Sequence, residues 1–351
     1  MDITRQKLLP GINILHGDNA QGKTNFVEAV YFCAFGRSLR AGVDRELISF
    51  DSANAHVCAE AERGGYTFSL DAHIERQGTK SVKALQIDRV PVRHMKDLFG
   101  RLLVVMFSPE DLRLIKSGPA ERRRFMDMEI CQLSPVYYSD LREYHRTLRQ
   151  RNALLKVLQK DKNQIDSLSI WDEQLAAHGV RVMKAREVFV KNVDALSGSI
   201  HRDITQGKEN LEISYVPNIL DPLKFVHTLE KSHARDIMQG ATSHGIHKDD
   251  INFSISGTSA RQFGSQGQQR TAALSAKLAE IEIIKQSTSE LPILLLDDVF
   301  SELDGHRQRF LLEQIKEIQT IITCTGLEDV LISQNQKNYN IMRVINGKIY
   351  N

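Results

Sequence analysis

Eight consecutive residues, Gly17-Asp18-Asn19-Ala20-Gln21-Gly22-Lys23-Thr24, fit the pattern GxxxxGK[ST]. Its two glycines let the backbone fold around an anion with the N–H groups turned inward. Lys23 can then reach the β- and γ-phosphates of a nucleotide, and Thr24 offers a hydroxyl to Mg²⁺. With Asn25 beside it, the loop is a candidate ATP cradle. Far along the chain, Leu294-Leu295-Leu296 ends in Asp297-Asp298. Asp297 would hold Mg²⁺ through water, and Asp298 would polarise the water that attacks the γ-phosphate, so Lys23 and Asp298 are the candidate catalytic residues. Carboxylates this close raise one another's pKa, and a bound Mg²⁺ offsets the repulsion. An aspartate after an apolar run can also be a helix N-cap; the phosphate loop tips the reading toward the metal.

A third segment, Phe263-Gly264-Ser265-Gln266-Gly267-Gln268-Gln269-Arg270, runs into a helical pattern over 271–284. Ser265 and Gly267, with Gln268 next to them, would form a second anion site at a helix N-terminus. It offers a hydroxyl and backbone N–H groups but no lysine.

These residues need strands that end at the site and helices that start there. An apolar run over 11–15 precedes the phosphate loop and an apolar helix pattern over 25–35 follows it, which is strand, loop, helix. Residues 55–87 alternate apolar and polar around Gly64-Gly65, predicting antiparallel strands. Residues 102–107 read as a strand buried on both faces. From Leu141 the positions Leu141, Tyr144, Leu148, Arg151, Leu155 and Leu158 step by three and four, the mark of an amphipathic helix. After a polar break over 159–167, Trp171, Leu175, Val182, Ala185, Phe189 and Leu196 predict a second helix, antiparallel to the first. Strand character returns at 211–216, 251–255, 292–296 and 320–325, a helix is expected over 305–318, and a last hairpin around Asn346-Gly347. The expected fold is α/β, with a helical second lobe inserted into a mixed-sheet head. Its boundaries fall at 1–112 for the first part of the head, 113–240 for the lobe and 241–351 for the rest.

Composition fits a soluble protein: of 351 residues, 41% are hydrophobic and 26% charged, and 46 Lys+Arg against 44 Asp+Glu leave a net charge of +2. No apolar run reaches the roughly 18 to 20 residues of a membrane span, and Met1-Asp2-Ile3-Thr4-Arg5 opens no signal core, so a cytoplasmic protein is expected. Cys33, Cys58, Cys131 and Cys324 form no CxxC pair and read as buried thiols; His145 and His247 lack the partner spacing of a metal site.

Ser265-Gln266-Gly267-Gln268-Gln269, the run ending in Asp297-Asp298, and Ser301-Glu302-Leu303-Asp304 together resemble the ABC-type ATPases, in which the signature segment of one subunit closes over ATP held by another. Within that superfamily the chain is similar to the RecF family. The further carriers are Gly36-Arg37-Ser38-Leu39-Arg40, Phe107-Ser108-Pro109-Glu110-Asp111-Leu112, Arg122-Arg123-Arg124-Phe125-Met126-Asp127 and Gly245-Ile246-His247-Lys248-Asp249-Asp250. The resemblance implies a weak, DNA-stimulated ATPase that dimerises with ATP and binds double-stranded and gapped DNA. It also implies a role with RecO and RecR in loading RecA, in recombinational gap repair, replication and the SOS response. Some positions depart from the family pattern. Ile246 and Lys248 stand where proline and arginine are common, Leu39 where phenylalanine is, and Thr323-Cys324-Thr325 where many ABC proteins place a γ-phosphate-sensing histidine. Only 16 residues precede Gly17, where relatives carry an extra strand; either part of that strand and an adenine-side contact are missing, or the start is misassigned.

Charge concentrates in the helical insert. Residues 141–163 hold seven basic side chains (Arg142, Arg146, Arg149, Arg151, Lys156, Lys160, Lys162) against Glu143 and Asp161. Arg142, Arg146, Arg149 and Lys156 are the candidate contacts to DNA phosphates, giving sequence-independent, salt-sensitive binding. Arg122-Arg123-Arg124 either join them or pair with carboxylates of the sheet. Only Tyr137, Tyr138 and Tyr144 interleave, so duplex backbone contact is expected over base stacking. The rival readings are an SMC-like structural ATPase, which would need longer coiled coils, a small-molecule P-loop kinase, for which the second anion segment is unexpected, and a transporter's ATPase subunit.

Overall fold

The computed structural model describes residues 5–161, 163–326 and 339–350. The chain begins with β1 (Ile12–His16), α1 (Lys23–Phe35), β2 (Asn54–Arg63), β3 (Tyr66–Gln77), β4 (Lys80–Ile87), β5 (Val90–Pro91) and β6 (Val104–Phe107). Its middle holds α2 (Leu112–Lys116), α3 (Pro119–Leu133), α4 (Pro135–Leu158), α5 (Leu168–Thr205), β7 (Leu211–Val216), α6 (Phe225–Gln239), β8 (Asp250–Ile255), β9 (Thr258–Ser259), α7 (Ala260–Phe263) and α8 (Gln266–Thr288). It closes with β10 (Ile293–Asp297), α9 (Gly305–Gln314), β11 (Thr320–Cys324), β12 (Asn340–Ile345) and β13 (Lys348–Tyr350). No helix of the described residues is long and apolar enough to cross a membrane.

Two compact units result: residues 1–111 with 280–351, and residues 112–279. The first boundary lies one residue from the expected one. The second differs: 241–279 belongs with the helical unit, because β8 pairs along its whole length with β7 in an antiparallel ladder from Leu211↔Ile255 to Val216↔Asp250.

In the first unit a six-stranded sheet has the order β13-β12-β1-β11-β10-β6, parallel throughout except for the β12–β13 hairpin. Its strands are near-continuous apolar runs, as a sheet covered on both faces requires. Ile14, Leu15, Val105, Leu294, Leu295, Leu296, Ile321 and Ile322 are all fully buried, each contributing about 1.5–3 kcal/mol by leaving water. A second sheet, β2-β3-β4-β5, is antiparallel. Its alternation turns Ala55, Ala72, Ile74 and Leu85 onto Phe32 of α1 and Ile48, and leaves the other face to solvent.

In the second unit α4 and α5 carry the predicted helices and β7 and β8 the predicted strands, with the short β9 added at the edge of their sheet. Leu155 and Leu158 of α4 meet Leu168 of α5 in one buried cluster, across the expected polar break. Helix α9 stops at Gln314 rather than 318, and α8 starts five residues before the expected 271, at the segment that caps it.

Candidate functional site

Parallel strands share one C-terminal edge, and in an open sheet that edge presents groups to a ligand. Register does the positioning here: Leu15 lies opposite Thr323 and Asp297 opposite Thr323, so the end of β1, the end of β11 and the end of β10 line up side by side. The phosphate loop leaves β1 at that edge and α1 starts from it. Gly17 takes φ +149°, and a Cβ there would lie 2.5 Å from the Val344 carbonyl oxygen, so no other residue fits. The Lys23 ammonium donates to the Gly17 and Asp18 carbonyls at 2.7 Å each, which aims it into the loop. Asp18, Asn19, Ala20 and Asn25 are exposed along the rim.

Thr24 Oγ1 donates to Asp297 Oδ1 at 2.9 Å, joining residues 273 apart in sequence. Thr323 Oγ1 donates to the same oxygen at 2.7 Å and accepts the Asp298 N–H at 3.1 Å. Asp298 sits at φ +53°, a conformation that non-glycine residues rarely adopt. Burial, and then the neighbouring Asp297, push its carboxyl pKa up, while Lys23 pulls it down. Neither carboxylate is a helix N-cap; Asp304 fills that role for α9, accepting from His306 and Arg307 N–H. Of the stretch Thr323-Cys324-Thr325, Thr323 is bonded into the carboxylate pair. The expected hairpin around Asn346-Gly347 forms between β12 and β13, but its contact with the phosphate loop was not legible: Asn346 N–H donates to Gln21 Oε1 at 2.6 Å and Gly347 N–H donates to Gln21 O at 2.9 Å.

In the second unit Ser265 and Gln268 form a reciprocal cap at the start of α8: Gln268 N–H donates to Ser265 Oγ, and Ser265 N–H to Gln268 Oε1. Gln268 Nε2 reaches Glu209 at 3.0 Å. The amide therefore fixes the segment, while Ser265 is exposed and Gly267 half-buried at the helix end.

Helix α4 shows Arg142, Arg146, Arg149 and Lys156 to solvent along one face, with Arg146 beside Glu143 at 3.4 Å, and Lys160 is exposed in the turn that follows the helix. Lys162 lies outside the described residues. Arg151 is not part of that face: it is fully buried, and its guanidinium donates to Asp172 and Asp236 at 2.7 Å each. A charge at a seam position of an amphipathic helix is inside the protein, and there it needs carboxylates. Tyr137 and Tyr144 are buried as well, which removes them from base stacking.

The arginine run is structural in large part. Arg122 is buried against Asp250, and Arg123 donates to the Asp249 carbonyl at 2.8 Å. Arg186 of α5, 1% exposed, bonds Asp127 at 2.8 Å and Asp249 at 2.9 Å. Two of the motifs that carried the family resemblance thus build one ion-pair core. His247 is neutral there: its Nδ1 accepts from Tyr144 O–H at 2.8 Å and its Nε2 faces the Thr242 carbonyl at 3.1 Å. The buried-thiol reading holds for Cys33, Cys131 and Cys324, but Cys58 is exposed, because it alternates onto the solvent face of β2.

The family model described as RecF/RecN/SMC N terminal domain matches residues 2–349. The chain belongs to the RecF family. A DNA replication and repair protein RecF of Lachnoclostridium phytofermentans is 47% identical over 97% of this chain and 93% of its own. The RecF of Clostridium perfringens (strain SM101 / Type A) is 43% identical over 98% and 94%. A solved structure of the recombination mediator protein RecF with ATP, in the RecFOR pathway, superposes with a TM-score of 0.89 at 32% identity, covering 98% of this chain and 92% of that one. An Smc head domain from Pyrococcus furiosus shares the ABC-ATPase fold at TM-score 0.53 and 14% identity. RecF membership agrees with the mixed sheet, the phosphate loop and the helical unit found here.

Proposed function

We propose that this RecF-family chain is an ATP-dependent DNA-binding protein of recombinational gap repair, with weak DNA-stimulated ATPase activity. Its ATP-bound homodimer grips duplex DNA near single-strand gaps and works with RecR and RecO to load RecA. The observation that carries the reading is the Lys23–Thr24–Asp297 arrangement at one sheet edge, where residues far apart in sequence converge on the place a nucleotide's phosphates would occupy.

The donor set suits Mg²⁺: a threonine hydroxyl and a carboxylate are hard oxygen ligands, and Thr24 and Asp297 already share a hydrogen bond that a cation would replace. Bound there, Mg²⁺ would neutralise charge on the β- and γ-phosphates. Lys23 would bind those phosphates, and Asp298, held by Thr323 through its backbone, would orient and polarise the attacking water. Ser265 and Gly267 of one copy would contact the γ-phosphate held by the other, so hydrolysis would release the dimer.

Three variants separate these steps. Lys23→Ala should lower ATP affinity by at least about 100-fold, Asp298→Asn should accumulate an ATP-bound dimer, and Ser265→Arg should bind ATP normally yet stay monomeric. Light scattering with ATP reads the last two, and a Ser265→Arg protein that dimerised like wild type would overturn the trans contact. DNA binding is measured by anisotropy on a gapped duplex over a salt series, with ATP and with ADP; tighter binding with ATP supports the clamp, and equal binding with both refutes it.

A further inference from the structure

Strands β2 and β3 bring four ligand-type side chains to the outer face of the antiparallel sheet. The ladder sets His56 opposite His73 and Cys58 opposite Asp71. Because side chains alternate, the four share the face that Ala55 and Ala72 turn away from. The imidazoles stack with centroids 3.9 Å apart and planes 12° apart. His56 Nε2 lies 3.2 Å from Asp71 Oδ1, and Cys58 faces Asp71 directly across the ladder. Donor atoms of His56, Asp71 and His73 all fall within 4.8 Å of one another.

In a tetrahedral zinc site, with bonds of about 2.0–2.3 Å, neighbouring donors are roughly 3.3–3.6 Å apart. Closing that difference requires the two imidazoles to unstack, so that their in-plane lone pairs converge on one ion, and the Cys58 side chain, outside the 4.8 Å group, to turn toward it; both are rotations of side chains on a solvent-facing sheet surface. Two imidazoles, one carboxylate and one thiol are a borderline-soft set, suited to zinc and ill suited to Mg²⁺ or Ca²⁺, which take oxygen. The backbone beneath is rigid, since Ala72 and Ile74 of the same strand are packed in the core. Glu60, close to Cys58, adds negative charge, and Arg5 is the cation nearby.

We propose that His56, Cys58, Asp71 and His73 bind one thiophilic divalent cation, zinc by preference, at a site separate from the nucleotide site and clipping β2 to β3. Sequence spacing hides it, because the pairs sit 17 and 13 residues apart and meet only through strand pairing.

The test is a zinc titration of the full-length, tag-free chain without nucleotide, in excess Mg²⁺, against a chromophoric chelator. One equivalent should bind, His56→Gln and His73→Gln should each weaken it at least about tenfold, and Asp297→Asn should leave it unchanged. Both glutamine variants should match wild type in unfolding midpoint when EDTA is present, which separates lost metal from lost fold. Cobalt loading should give a thiolate charge-transfer band that Cys58→Ser removes. Absence of that zinc equivalent, or binding indifferent to both histidine changes, overturns the proposal; a cobalt spectrum unaltered by Cys58→Ser removes the thiol from the site.

Discussion

At the scale of single residues, Thr323 links the two acids: one hydroxyl fixes the Asp297 carboxylate and accepts the Asp298 N–H. Thr323→Val should leave ATP affinity within a few-fold while lowering turnover by about 10- to 100-fold, and Thr323→Ser should restore most of it; steady-state and single-turnover assays decide. His247 makes a separate prediction. Burial pushes its pKa down to about 4, whereas an unfolded imidazole titrates near 6.5. Between those values the unfolded chain holds more protons, so this contribution is complete above about pH 6.5 and is lost as pH falls toward 4. His247→Gln should therefore lose less stability than wild type from pH 7 to 4.5, by about 2–3 kcal/mol in urea unfolding; parallel curves would show that the imidazole is not the group responsible. Legibility at this scale followed locality. The run from Gly17 to Asn25 and the Asp297-Asp298 pair could be read because each is contiguous and chemically specific. Thr323 could not be singled out from its neighbours, because its partners lie on another strand.

Among elements, α4 shows how one helix divides its arginines. Its periodicity was readable and put Arg151 on the seam, but the partners that let a charge sit there were not, because Asp172 and Asp236 lie 21 and 85 residues away. Arg149→Ala should change stability by no more than about 0.5 kcal/mol and reduce the salt slope of DNA binding by about 1. Arg151→Met should leave DNA contacts alone and cost about 3–5 kcal/mol, since it strands two buried carboxylates. If denaturant midpoints put the two variants in the opposite order, the division of the helix is wrong. The pairing of β2 with β3 was equally readable from alternation around Gly64-Gly65, but what the pairing juxtaposes was not, since register is set by the turn and the core together.

For the molecule as a whole, the two units differ in continuity. The helical unit is one uninterrupted stretch, and the head is assembled from both ends of the sequence. A fragment spanning 112–288, which keeps α8 entire, should unfold cooperatively by circular dichroism. Residues 1–111 alone should not, lacking β10, β11 and β12 beside β1 and β6. Cooperative melting of the 1–111 piece would contradict that. The second lobe boundary was misplaced in the sequence reading for the same reason: the motif-rich stretch after residue 240 looks like head, but its strand bonds to β7.

The turn at Asn346-Gly347 that holds Gln21 gives the phosphate loop a history. On the ribosome the loop is made early, but its neighbours β11 and β12 and the turn that clasps it emerge about 300 residues later, on the order of 15 to 60 s at ordinary elongation rates. Throughout that interval the helical unit can be made and folded, while the nascent loop has neither its strands nor its clasp. A half-made chain therefore carries the loop without the Gln21 clasp and without β11 and β12 beside β1, and all three arrive together with the C-terminal strands.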